Sequence, residues 1–178
     1  MRLFIAIQFN NEIINALTSA QDVLRANNVK GYYSVRENLH LTLAFIGEFG
    51  NADLVLDAME QVDFEPFTLA LGGYIGNFGD LLWAGTEHSN HLDRLAKKLR
   101  RTLAESNIPF DKKKFKPHVT LLRNAEYSTN ADFSISDVSV EKASMTVSHI
   151  SLMRSDRGKH GMIYTELGSI AAGSADIM

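Results

Sequence analysis

Cysteine is absent from this chain. That excludes disulfides, thiolate zinc sites and a cysteine nucleophile, and it suits a reducing compartment. Proline is nearly absent: Pro66, Pro109 and Pro117 are the only three in 178 residues. The excess of one sign of charge is also small, the net value being −3. There is thus no global electrostatic footprint for nucleic acid, and any such binding must rest on a local basic patch. No long apolar run occurs. The N-terminal MRLFIAIQFN breaks at Gln8, too early for a signal peptide or a membrane span, and it reads as a buried strand. Low-complexity segments and a dividing linker are missing too. The expectation is one domain over residues 1–178, built of two lobes, monomeric, cytoplasmic and not membrane-bound. Hydrophobic residues at 45% and charged residues at 22% fit a soluble globular protein.

What is present is a repeated motif. His40-Leu41-Thr42-Leu43 lies in ENLHLTLAFIGE, and His118-Val119-Thr120-Leu121 lies in FKPHVTLLR, 78 residues later. On an extended strand alternate side chains point to opposite faces. His40 and Thr42 therefore share one face, with Leu41 and Leu43 behind them. The same holds for His118 and Thr120 against Val119 and Leu121. Two such strands side by side would bury their backs and place two imidazoles and two hydroxyls around one space.

The remaining pattern supplies the frame. Leu3 to Phe9 reads as a central strand. Asn10 or Asn11 caps a helix carrying Ile13, Leu17, Ala20 and Leu24 on one face and ending near Asn27-Asn28. A short strand is expected at Tyr33–Val35, the first motif strand at Leu39–Ile46, and a helix from Asn51 or Asp53 with Val55, Met59 and Val62 inward. Phe67–Leu71 alternates as a strand, Gly72-Gly73, Gly76 and Gly79 read as turns, and Leu81–Gly85 is another strand. Ser89 or Asn90 caps the clearest helix, whose buried stripe is Leu92, Leu95, Ala96, Leu99 and Leu103. The second motif strand runs from His118 to Leu122. Beyond it strands are expected at Phe133–Val140, Ala143–Met153 and Ile163–Leu167, with a hairpin turn at Ser155–Gly158 and a loose tail SIAAGSADIM. Each half reads strand, helix, His/Thr strand. The fold class is therefore α+β with a pseudo-two-fold arrangement and the motif strands near the axis.

Two imidazoles facing one another suit paired acid–base work near neutral pH. Threonine hydroxyls beside them are rigid donors for developing anionic charge. Acid, base and two donors, with no nucleophile or metal set in the motifs, match in-line hydrolysis of a phosphodiester, and a strained cyclic phosphate is the easiest substrate. A lone His-x-Thr on a strand usually carries no function; two copies in matching phase change that balance. Zinc is the rival chemistry, but a catalytic zinc site takes three protein ligands and neither motif has an Asp or Glu at a chelating offset.

RLFIAI, ENLHLTLAFIGE, LLWAG, FKPHVTLLR and SLMRSDRG…Y together resemble the two-histidine (2H) phosphoesterase superfamily. Within it they are similar to the bacterial RNA 2′,3′-cyclic phosphodiesterases, the LigT-like or 2′-5′ RNA ligase proteins. The resemblance runs from Arg2 to about Leu167. It implies a bilobal fold with two antiparallel sheets lining a central cleft and helices outside. It implies an enzyme hydrolysing a terminal 2′,3′-cyclic phosphate on RNA to a 2′-phosphate without metal or cofactor, with 2′-5′ ligation as the reverse reaction. Carried across, His40 is the proton donor, His118 the proton acceptor, and Thr42 and Thr120 hold the non-bridging phosphate oxygens. Arg123 is a further phosphate contact by the same resemblance, although strict alternation from His118 puts it out of phase with the cleft. Many relatives carry Lys where this chain has Ala44, which alternation places on the histidine face.

Other candidates weigh less. Lys112, Lys113, Lys114 and Lys116 form a basic loop that either tracks an RNA backbone or is simply solvated. Phe45 shares phase with Leu41 and Leu43 and reads as core; Tyr33 is left open between a base-stacking and a packing role. His88, His91, His149 and His160 read as surface or structural. Two alternatives remain beside RNA cleavage. One is phosphodiesterase action on small cyclic nucleotides or ADP-ribose cyclic phosphate. The other is a nucleotide- or RNA-binding module without turnover, against which both intact motifs argue.

Overall fold

The computed structural model describes residues 1–128 and 133–173. The chain opens with β1 (Arg2–Gln8), whose five central residues are all buried. Asn10 then caps α1 (Asn11–Ala26) by accepting the Ile13 N–H at 3.0 Å. After β2 (Lys30–Tyr33) and a 3-10 turn at Arg36–Asn38 comes the first motif strand, β3 (His40–Glu48). α2 (Ala52–Glu60), the long β4 (Phe67–Phe78) and β5 (Leu81–Thr86) follow. α3 (Asn90–Glu105) is capped by Ser89, and a loop leads to the second motif strand, β6 (His118–Glu126). β7 (Ser144–Val147), β8 (His149–Gly158) and β9 (Gly161–Ala171) complete the described chain.

The strands form two antiparallel sheets. One has the order β3-β1-β8-β9 and the other β2-β6-β5-β4-β7. Each motif strand thus pairs with the strand that opened its own half: β3 with β1, β6 with β5. The helices do the opposite. α1 follows β1 but packs its Ile13, Leu17 and Leu24 into the core behind the second sheet, against Leu82, Val119 and Leu121. α3 follows β5 but packs Leu92, Leu95 and Leu99 behind the first sheet, against Ile5, Leu41 and Leu43. This exchange ties the two halves together. Each fully buried leucine in these stripes contributes about 1.5–3 kcal/mol. No helix among the described residues is long and apolar enough to cross a membrane.

The α+β class is as the sequence pattern predicts, and the two antiparallel sheets with outer helices are as the family resemblance implies. Several boundaries differ. The glycines at 72, 73 and 76 are not turns but lie inside β4; of the four, only Gly79, at φ 60°, sits in the turn to β5. Gly76 leaves room for an indole, since a Cβ there would come within 2.4 Å of the Trp83 ring. Phe133–Val140 is not a strand: after a bridge at Phe133, Ser134 and Asp137 form a capping box around a 3-10 turn at Ile135–Asp137. Ala143–Met153 divides into β7 and β8, which belong to different sheets. β8 runs through Ser155–Gly158, the turn falling after it, and β9 takes up the start of the predicted tail as far as Ala171. The tail from 174 on lies outside the described residues. The short strand expected at Tyr33–Val35 is β2, shifted to Lys30–Tyr33.

Candidate active site

The motif strands carry the same irregularity. Ile5 pairs with Ala44 and Ala6 with Thr42, so Leu43 is an extra residue on β3. Trp83 pairs with Thr120 and Leu82 with Leu122, so Leu121 is an extra residue on β6. These are β-bulges, and they stand 78 residues apart, the spacing of the histidines. A bulge inserts one residue and reverses the facing of everything beyond it. Strict alternation therefore fails after each Thr. Ala44 is fully buried in the core rather than on the histidine face, so no rim charge is missing there. Phe45 turns out of the first core and lines the cleft beside Thr42. Arg123, its counterpart 78 residues on, is exposed and likewise on the cleft side.

Both bulges are held from the opposite half by a helix. Gln21 on α1 is buried, and its amide nitrogen donates to Leu121 O at 3.0 Å and Ser34 O at 2.9 Å. Arg100 on α3 donates to Leu43 O at 3.2 Å and Lys113 O at 2.7 Å. The segments leading into each motif dock across as well, Ser34 N–H on Leu121 O and Asp111 N–H on Phe45 O. Gln21→Leu deletes both donor bonds at nearly constant volume. The expected loss is about 1–3 kcal/mol, the net worth of two hydrogen bonds, read from a urea titration at unchanged m. A change below about 0.5 kcal/mol, the ordinary surface range, would mean that Ser34 N–H alone holds the bulge.

The two histidines are set alike. His40 Nδ1 lies 2.7 Å from Asn38 O, and His118 Nδ1 lies 2.7 Å from Lys116 O. A carbonyl only accepts, so each neutral ring carries its proton on Nδ1 and leaves Nε2 as the unprotonated nitrogen. In His40 that nitrogen meets Thr42 Oγ1 at 3.0 Å. The Thr120 hydroxyl has no partner among the described residues and is free for a ligand. Aromatic rings wall both imidazoles: Phe4 at 4.9 Å and Tyr164 at 5.3 Å for His40, Phe78 at 5.1 Å and Trp83 at 6.1 Å for His118. His40 titrates below the ordinary histidine range, mainly because burial penalises its charge. The Arg123 cation, and His118 whenever it is charged, push the same way, against the Asn38 hydrogen bond.

Two hollows flank the pair. One, of about 570 Å³, is lined by Thr42, Phe45, Phe78, Phe115, Lys114 and His118, and so is bordered by both motif strands. Lys113 and Lys116 line it too, so most of the lysine loop faces the cleft, while Lys112 sits over the Phe110 ring at 5.0 Å. The other hollow holds Arg123 and His160, which is exposed as its surface reading has it. Tyr33 does not face a ligand freely: its ring lies under Arg25 at 4.1 Å and its hydroxyl donates to Val29 O. His88, His91 and His149 stand apart from the motifs, His88 bonding Asn90 and His149 bonding Ser148. Among the described residues no three His, Asp or Glu side chains cluster closely enough to hold a metal ion. The aromatic walls and the two carbonyl anchors were not foreseen; no local signal marks a residue that touches a histidine from another strand.

The profile of the 2′-5′ RNA ligase superfamily matches residues 9–159. The chain belongs to that superfamily. It is 27% identical over 176 residues to the RNA 2′,3′-cyclic phosphodiesterase of Thermotoga maritima, covering 94% of this chain and 93% of that one. It is 31% identical over 152 residues to the RNA 2′,3′-cyclic phosphodiesterase of Aeropyrum pernix, covering 78% and 85%. Among solved structures it superposes on E. coli LigT complexed with 3′-AMP at TM-score 0.77 and 27% identity, over 97% of this chain and 98% of LigT. The fold described above is thus shared with LigT.

Proposed function

We propose that this superfamily member hydrolyses a terminal 2′,3′-cyclic phosphate on RNA to a 2′-phosphate, using His40 and His118 as acid and base. The observation that carries the reading is the matched pair of imidazoles, each fixed at Nδ1 by the carbonyl two residues before it. His118 Nε2 takes a proton from water, and the hydroxide oxygen forms a bond to phosphorus. The 3′ oxygen departs in line with the bond electrons and takes a proton from His40 Nε2. Exchange with solvent then returns the proton. Thr42, Thr120 and Arg123 hold the non-bridging oxygens, where charge builds. The names of the phosphodiesterase relatives support the substrate class.

The depressed titration of His40 fits a donor. Its imidazolium is a stronger acid than free histidine, which favours transfer to an alkoxide. The anionic phosphate counteracts the neighbouring cations and charges the ring on binding.

The test is an oligoribonucleotide ending in 2′,3′-cyclic phosphate, incubated with EDTA, with the product's phosphate position determined. The expected result is a 2′-phosphate at an undiminished rate. Loss of turnover in EDTA would put a metal in place of the acid–base pair. Turnover of small cyclic nucleotides alone would move the substrate to that class.

A further inference from the structure

We propose that the second hollow binds a further nucleotide of the substrate strand, its phosphate on Arg157 and its base on Tyr32. This rests on the phosphodiesterase reading for what sits at the histidines. The hollow measures about 850 Å³ and is framed by the ends of β2 and β6 and the tip of the β8–β9 hairpin. That is within the range of sites that enclose a drug-sized molecule.

Three observations point to the occupant. First, its lining carries Arg123, Arg157 and His160 and no carboxylate. Among the described residues none of these three is ion-paired, whereas nearby Arg154 meets Asp156 at 2.8 Å. Unpaired guanidiniums facing one space are a phosphate-binding arrangement. Second, Tyr32 is 74% exposed and pairs across the strands with Arg123. Its neighbour Tyr33 does the packing, so the fold does not need Tyr32's ring; an exposed ring beside a cation suits a stacked base. Third, the hollow is continuous with the histidine pair. Tyr164 lines it and walls His40, and Asn38 anchors His40 with its carbonyl while its side chain donates to Met162 O at 2.9 Å on the hairpin. A strand with its terminal nucleoside in the phenylalanine-lined hollow can continue past the histidines into this one.

The experiment compares wild type, Tyr32→Ala, Tyr32→Phe and Arg157→Ala on adenosine 2′,3′-cyclic phosphate and on a short oligoribonucleotide with the same end. Tyr32→Ala is expected to lose about 5- to 100-fold in kcat/KM on the oligomer, through KM, the worth of one stacked base; Tyr32→Phe is expected to restore it. Arg157→Ala is expected to weaken oligomer use and lower its log–log salt slope by about 0.7, one phosphate contact on a single strand. Neither is expected to change the mononucleotide kinetics. Equal losses on both substrates, or none on the oligomer, would overturn the site. In parallel, anisotropy with a fluorescent oligomer ending in 2′-phosphate reads the same variants without turnover. If wild type cleaves neither substrate, the phosphodiesterase reading fails, and the binding series still decides the hollow. A separate 5′-hydroxyl oligomer is the last arm. Competition by it that the variants abolish, with cyclic-end oligomer kinetics intact, would assign the hollow to a second strand instead.

Discussion

Replacing His118 by alanine is expected to cut kcat about 10²–10⁴-fold and to leave a residual activity that falls as pH rises. The factor is that of one general acid or base. The sign comes from what remains. His40 alone must then supply the proton, so only its charged form works. Its folded-state titration lies below the ordinary range, chiefly through burial. In kcat/KM, which reports the free protein, the descent therefore sets in below pH ~6.5, the unperturbed histidine value. In kcat it sets in at higher pH, because bound phosphate favours the imidazolium. His40→Ala is expected to lose a similar factor with the opposite slope, residual activity rising with pH, since the acceptor works only once it is deprotonated. Steady-state pH profiles of both variants check this. Exchanged slopes would exchange the roles of the two histidines; losses below about tenfold in both would remove them from the chemistry.

The motif was readable because two forces wrote it in the same phase. Leu41, Leu43, Val119 and Leu121 must be buried, and each is fully so. Period two then forces His40, Thr42, His118 and Thr120 to the other face. The helices were readable for a similar reason: Asn10 and Ser89 cap amphipathic stripes whose buried residues are those the spacing selects. Period two stopped being informative at Leu43 and Leu121. A bulge has no composition of its own here, because its carbonyl is captured by Arg100 or Gln21, far off in sequence. Ala44, Phe45 and Arg123 were therefore given the wrong face by alternation, and only the family resemblance kept Arg123 in view. The same limit hid the cross-packing of the helices. An amphipathic stripe says that a face is buried, not which sheet it is buried against. The glycine reading failed for a different reason, since a glycine that admits the Trp83 ring looks like one that turns the chain.

The threonines are where the pseudo-symmetry breaks, and the second large effect is expected there. Thr120→Val removes a hydroxyl with no partner among the described residues, at constant shape. Its loss is felt when charge develops on phosphate, so kcat is expected to fall about 10²–10³-fold, the cost of one oxyanion donor, with the pH limbs unmoved. Thr42→Val removes a similar donor but does a second thing. In the free protein the Thr42 hydroxyl lies 3.0 Å from His40 Nε2, where it donates to the neutral ring. A hydrogen bond to the neutral form holds a titration down. Without it the His40 titration rises, and the descending limb of kcat/KM moves to higher pH in Thr42→Val and not in Thr120→Val. Profiles of kcat/KM for the two valine variants, with each fold confirmed by circular dichroism, separate the effects. Coincident limbs would mean that Thr42 serves phosphate alone. A limb that moves only in Thr42→Val would identify this hydroxyl as a tuner of the proton donor, within a pair of motifs that are otherwise copies of one another.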